Sequence, residues 1–111
     1  MKRTQRLRTN TDFKRALRGR RISSSAFVLH AGSTEIPSST SQVGFIVSKS
    51  VGNSVVRHRV TRQLRAIIST RLDRLNSQDR FVVRALPAIT TLPYRQLQDE
   101  IDVALTSAGR A

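Results

Sequence analysis

The stretch Lys49-Ser50-Val51-Gly52-Asn53-Ser54-Val55-Val56-Arg57-His58-Arg59-Val60-Thr61-Arg62-Gln63-Leu64-Arg65 joins a strand end, a glycine turn and the start of a helix. Ser50 to Asn53 reads as the turn, with Asn53 or Ser54 as the N-cap of the longest helix. At about 100° per residue, Val56, Val60, Leu64, Ile67, Ile68, Leu72 and Leu75 form one apolar stripe, so the helix is expected to run to about Leu75. His58, Arg62 and Arg65 lie together on a flank of the stripe, and Arg59 points farther away. Arg57 falls near the stripe and Arg71 inside it. Both must snorkel or face a groove beside the core. Each cation of the first turns can neutralise a phosphate or grip a base edge, and the helix amides add a further anion site. A merely solvated basic face is the simpler reading. It accounts poorly for Arg57, where an unpaired charge beside apolar neighbours is unfavourable.

Outward from this segment the pattern is α, β, β, α, β, α. Phe13, Ala16 and Leu17 share one face of a short helix that Asn10 or Thr11 can cap, with Asp12 in its first turn and Gly19 after its end. Ala26–Ala31 and Val43–Ser48 read as strands that would pair antiparallel across the Ser- and Thr-rich loop containing Pro37. A short extra strand is expected near Ile22–Ser24. Arg80–Ala85 is a further strand, and the long helix before it can make it a parallel neighbour of Val43–Ser48. Pro93 opens a last helix whose inner face is Leu97, Ile101, Ala104, Leu105 and Ala108. The expected architecture is α+β, a single domain over 1–111 with helices laid on one small sheet. Residues 1–9 are expected to be a flexible basic arm.

The chain has 111 residues with a formal charge of +13 and no cysteine. Zero cysteine excludes a disulfide scaffold, a Cys-ligated zinc site and thiol catalysis, and fits a reducing compartment. No apolar run is long enough to span a membrane, and Met1 is followed by basic residues without a signal-peptide core. The charge is blocked: +8 over residues 1–21, zero over 22–56, +5 over 57–74 and zero over 75–111. Lysine occurs only at positions 2, 14 and 49, so arginine, the better bidentate partner of phosphate, dominates. The expected partner is a polyanion, nucleic acid first.

Catalytic constellations are weak. Asp99 and Asp102 share a helical face, but one acidic turn is a poor two-metal site and reads as solvated charge. A metal-free ribonuclease would need His30, His58 and Lys49 to meet. Isolated Gly52 makes no phosphate-binding loop.

The run Val51-Gly52-Asn53-Ser54-Val55 with Arg57-His58-Arg59, Arg62 and Arg65 resembles the signature of the protein subunit of bacterial ribonuclease P. Thr11-Asp12-Phe13, Phe27-Val28-Leu29, Val43 through Lys49, and Asp79 through Val83 with Pro87 follow that family's order and spacing. The resemblance implies an α/β sandwich of the kind found in small ribosomal proteins, with a mostly antiparallel sheet and a left-handed βαβ crossover through the long helix, against the usual hand. It also implies a non-catalytic component of a cytoplasmic ribonucleoprotein that removes the 5′ leader of precursor tRNA. The RNA subunit performs the Mg²⁺-dependent cleavage, and Mg²⁺ is held mainly by that RNA and the substrate, none by the protein itself. The implied partners are the ribonuclease P RNA subunit and precursor tRNA, with no membrane and no obligate protein partner. Asn53, Arg57, His58, Arg59, Arg62 and Arg65 would contact the RNA subunit. Phe13, Leu17, Val28, His30, Val43 and Lys49 would line the leader groove, where bases stack. The family often carries aromatic residues where Leu17 and His30 stand, and Asn and Lys where His58 and Thr61 stand. A ribosomal RNA-binding protein is the rival reading, since a basic arm and an arginine helix fit both.

Overall fold

The elements of the computed structural model, which describes residues 6–7, 10–35 and 40–110, are α1 (Asn10–Leu17), β1 (Arg20–Ser23), β2 (Phe27–Ser33), β3 (Gln42–Ile46), α2 (Ser54–Ser69), β4 (Asp79–Ala85) and α3 (Tyr94–Ser107). The side chains expected to cap α1 and the tip of the Pro37 loop lie outside the described residues. So does most of the expected basic arm. Within that arm Leu7 is buried, and its amide donates to the Val43 carbonyl at 3.2 Å, so the chain is held there.

The sheet order is β1-β2-β4-β3. β1 and β2 are antiparallel, β2 and β4 are antiparallel, and β3 and β4 are parallel. This mostly antiparallel sheet corrects one expectation: β2 and β3 do not pair across their loop, because β4 lies between them. The register explains why. β2 and β4 are buried along most of their length, and the central positions give each a neighbour on both edges. The parallel neighbourhood of β3 and β4 through α2 is as expected.

Alternation sorts the side chains onto two faces. On one face Phe27, Leu29, Val43, Phe81, Val83 and Ala85 meet Val60, Leu64, Ile67 and Ile68 of α2 and Leu97, Ile101, Ala104 and Leu105 of α3. The opposite face carries α1, where Ala16 packs with Val82 and Leu7, and Phe13 and Leu17 border them. Two glycines admit the helix. A Cβ on Gly32 would stand 2.6 Å from the Ala16 Cα, and one on Gly44 2.6 Å from the Phe13 ring. Any side chain at either position would lift α1 from the sheet.

α2 ends earlier than its stripe predicts, at Ser69, with Thr70 as C-cap. Ser69 and Thr70 turn their hydroxyls onto the Ala66 and Ile67 carbonyls, and the chain continues as a 3₁₀ turn over Leu72–Arg74. Leu72 and Leu75 still pack against the core from that turn. Apolar spacing therefore survived while the helix did not.

Candidate nucleic-acid interface

Asn53 caps α2: its backbone is extended and its side-chain oxygen accepts from the Val56 amide at 3.0 Å. The first turn of α2 contains no acid. Arg57, His58 and Arg59 instead stand at the positive end of the helix dipole, an arrangement unfavourable to the isolated helix and favourable to an anion. No side chain among Arg57, His58, Arg59, Arg62 and Arg65 makes a hydrogen bond or ion pair with a described residue.

Two grooves flank the ridge formed by Ser54, His58 and Arg62. On the β3 side, a groove of about 520 Å³ is lined by Phe45, Val47, Arg57, Thr61 and Arg65. The Nε atoms of Arg57 and Arg65 are buried there without a hydrogen-bond partner. A buried unpaired donor costs about 1–3 kcal/mol, and an incoming phosphate would relieve that cost. Thr61 does not contribute freely, because its hydroxyl donates back to the Arg57 carbonyl at 2.9 Å. On the α3 side, a shallower groove of about 890 Å³ is lined by Val55, Arg59, Gln63, Ala66 and Tyr94.

The face under α1 gathers Phe13, Leu17, Val28 and His30 of the six expected groove residues, while Val43 lies elsewhere and Lys49 is not brought to it. Phe13 and Leu17 are half-buried, Val28 and His30 are buried, and Lys49 is exposed in the turn between β3 and α2. Val43 is not a groove residue. It is 1% exposed in the main core, on the opposite face, and its neighbour Gly44 is what lies beneath Phe13. Sequence reading missed Arg21 and Arg84, which pair in register with His30 and Val28 and so share their face. Strict alternation along β4 from Val82 was the signal that could have found Arg84. Both His30 ring nitrogens are buried without a partner. Burial, then the charges of Arg84 and Arg21, hold this imidazole below its usual range, so it is neutral at pH 7.

The paired histidine reading fails on geometry. His30 lies on the α1 face, whereas His58 is on the exposed side of α2, across the sheet. Two of the acids are engaged by arginines. Asp102 accepts from Arg71 Nε at 2.6 Å and Arg74 Nη1 at 2.7 Å, which draws its pKa below the usual carboxylate range. Asp102 is thus not the solvated charge expected, and Arg71 neither snorkels nor faces a groove. Asp79, buried, takes Arg110 at 2.7 and 2.9 Å. Arg80, also buried, donates to the carbonyls of Thr40, Ser77 and Asp79. Among the described residues no three His, Cys, Asp or Glu side chains converge as metal ligands, and no helix is long and apolar enough to cross a membrane.

The site is thus an uncompensated arginine helix laid over one face of the sheet of a small, strongly basic α+β domain. Comparison with known proteins identifies the family. The sequence matches the Ribonuclease P family over residues 1–109, and the chain belongs to that family. It is 40% identical to the ribonuclease P protein component of Acidothermus cellulolyticus over 87% of this chain and 82% of the relative. With that of Salinispora tropica it shares 37% identity over 94% and 90%. The solved Staphylococcus aureus RNase P protein has the same fold, with a TM-score of 0.84 at 22% identity over 96% of each chain. Membership makes this chain a protein component of an endoribonuclease complex that acts in tRNA processing.

Proposed function

We propose that this chain docks on the ribonuclease P RNA subunit through the outer side of α2 and holds the 5′ leader of precursor tRNA beneath α1, without catalytic residues of its own. One observation carries the first part: two arginine Nε atoms, of Arg57 and Arg65, are buried and unpartnered on the β3 side of α2. A protein serving only its own stability would place acids there, as it does for Arg71, Arg74 and Arg110. Asn53 orients the helix start, Arg57 and Arg65 receive phosphate on the β3 side, and His58, Arg59 and Arg62 extend the contact over the ridge.

The leader reading rests on Phe13 lying against the bare backbone at Gly44, with Leu17, Val28 and His30 on the same face, Arg21 and Arg84 sharing it, and Lys49 in the turn after β3 as a further cation. A half-buried aromatic ring with flanking cations suits an unpaired strand of variable sequence. Mg²⁺ belongs in this reading with the RNA and substrate, since Asp79 and Asp102 are engaged by arginines and fit no metal. The site of action is the cytoplasm.

The test is 5′ processing of precursor tRNA at low Mg²⁺ by a bacterial ribonuclease P RNA, with and without this protein. Stimulation is expected only when both are present. Cleavage by the protein alone, or no stimulation, would contradict the reading. Within that assay Phe13→Ala should weaken leader-bearing substrate about tenfold while mature tRNA binding stays within about twofold.

A further inference from the structure

We infer that the groove between α2 and the start of α3 seats one unpaired nucleobase of the RNA subunit, stacked on Tyr94. This rests on the proposed docking of α2 on that RNA and extends it to a face its arginine-lined β3 side does not include. Tyr94 is the only tyrosine in the chain and stands at the first position of α3, behind Pro93. It is 41% exposed, and Val55, which also lines the groove, is 75% exposed. Large apolar groups at a solvent groove cost stability that the core does not require, and Tyr94 makes no hydrogen bond with a described residue. The groove walls supply what a flipped-out nucleotide needs. Tyr94 offers a π-face, and Val55 and Ala66 offer apolar lining along the α2 side of the groove. Gln63 offers an amide with donor and acceptor for a base edge, and Arg59 and Arg62 stand ready for the adjoining phosphates. A volume of about 890 Å³ lies within the range of small-ligand clefts.

The occupant follows from charge. A hydrophobic protein partner would meet Arg59, Arg62 and His58 without an acid to pair them, and a second copy of a +13 chain would bring more of the same sign. A duplex presents no free base face. A single unpaired nucleotide answers both the cations and the ring.

With one tyrosine and no tryptophan, the chain accepts a single-site reporter. The full-length protein carrying 3-fluorotyrosine gives one ¹⁹F resonance, which should shift on addition of a bacterial ribonuclease P RNA by the ring current of a stacked base. In parallel, Tyr94→Ala should weaken RNA affinity by about tenfold and leave the salt dependence of binding unchanged, while Tyr94→Phe should bind as the parent does. Urea unfolding of each variant checks that the fold persists. An unshifted resonance on saturated RNA, or Ala and Phe variants that both match the parent, would overturn the inference. If Arg57→Ala also leaves affinity unchanged, the docking of α2 itself fails, which is a separate result. A concentration-dependent dimer in sedimentation velocity that Tyr94→Ala abolishes would assign the groove to a second copy instead and overturn the base seat.

Discussion

Two sets of arginines, one along α2 and one beyond its C-terminal end, have opposite surroundings. Beyond the helix Arg71 and Arg74 share Asp102, and Arg110 closes on buried Asp79 while its guanidinium lies 6.0 Å from the Phe81 ring centroid. Along the helix Arg57, Arg59, Arg62 and Arg65 have no acid, and two of them bury an unsatisfied Nε. The same side chain therefore does two jobs, and only its partners separate them. Paired arginines fasten the C-terminal segment to the domain. On the proposed reading the unpaired ones serve a polyanion, at some cost to the free protein.

The largest expected contrast is in RNA affinity. Arg57→Ala combined with Arg65→Ala should lower affinity for a ribonuclease P RNA by about 100-fold near physiological salt, whereas Arg71→Ala should change it less than about twofold, measured by filter binding. A comparable loss for Arg71→Ala would erase the distinction.

Stability should show the reverse order. Arg110→Ala leaves the buried Asp79 carboxylate without its bidentate partner and should destabilise the fold by about 2–3 kcal/mol in urea unfolding. The double α2 variant should lose less than about 0.5 kcal/mol, or gain stability by removing Arg57 from near the helix N-terminus and two unpaired buried donors.

Asp102→Asn sharpens the comparison through pH. The folded pKa of Asp102 is depressed by the Arg71 hydrogen bond, so its contribution is complete above the unfolded carboxylate value of about 4 and disappears as pH falls through the folded value. The parent should exceed the variant by about 1–2 kcal/mol at pH 7, a modest figure because the carboxylate is partly exposed. Thermal melts should show the gap begin to narrow as pH falls below about 4 and go on narrowing below pH 3. A gap of the same size from pH 7 to the lowest pH at which the protein stays folded would show that packing, not ion pairing, explains the difference.

His30 should give the smallest effect. Its depressed folded pKa means that the unfolded chain binds the proton more readily, so stability falls as pH drops below about 6.5. The ring should titrate below 6.5 by proton NMR, and His30→Phe should flatten the stability curve between pH 7 and 5. A midpoint at or above 6.5 would mean the imidazole is not held neutral by burial and Arg84.

Much of this arrangement was legible in the sequence, and the misses have physical causes. The helical stripe from Val56 to Ile68 and the strands around Phe27, Val43 and Phe81 followed from local periodicity. The parallel pairing of β3 with β4 followed from the helix between them. The place of β4 between β2 and β3 could not be read, because strand order is decided by long-range burial and not by any local pattern. Val43 was placed in the groove by the family resemblance, although one step of alternation puts it in the core and leaves Gly44 facing Phe13. The +5 block over 57–74 overcounted free charge for a similar reason: Asp102, which neutralises Arg71 and Arg74, lies on a different helix. Tyr94 escaped notice because its groove is completed only when α3 packs beside α2.

The central claim is that counterion displacement on the RNA belongs to the unpaired arginines alone. Its most direct measurement is the slope of log affinity against log salt for the parent, for Arg57→Ala/Arg65→Ala and for Arg71→Ala, each with the same ribonuclease P RNA. The slope of the double variant should be shallower by about 2, one unit for each lost phosphate contact, and that of Arg71→Ala should match the parent. Equal slopes for all three proteins would contradict the account.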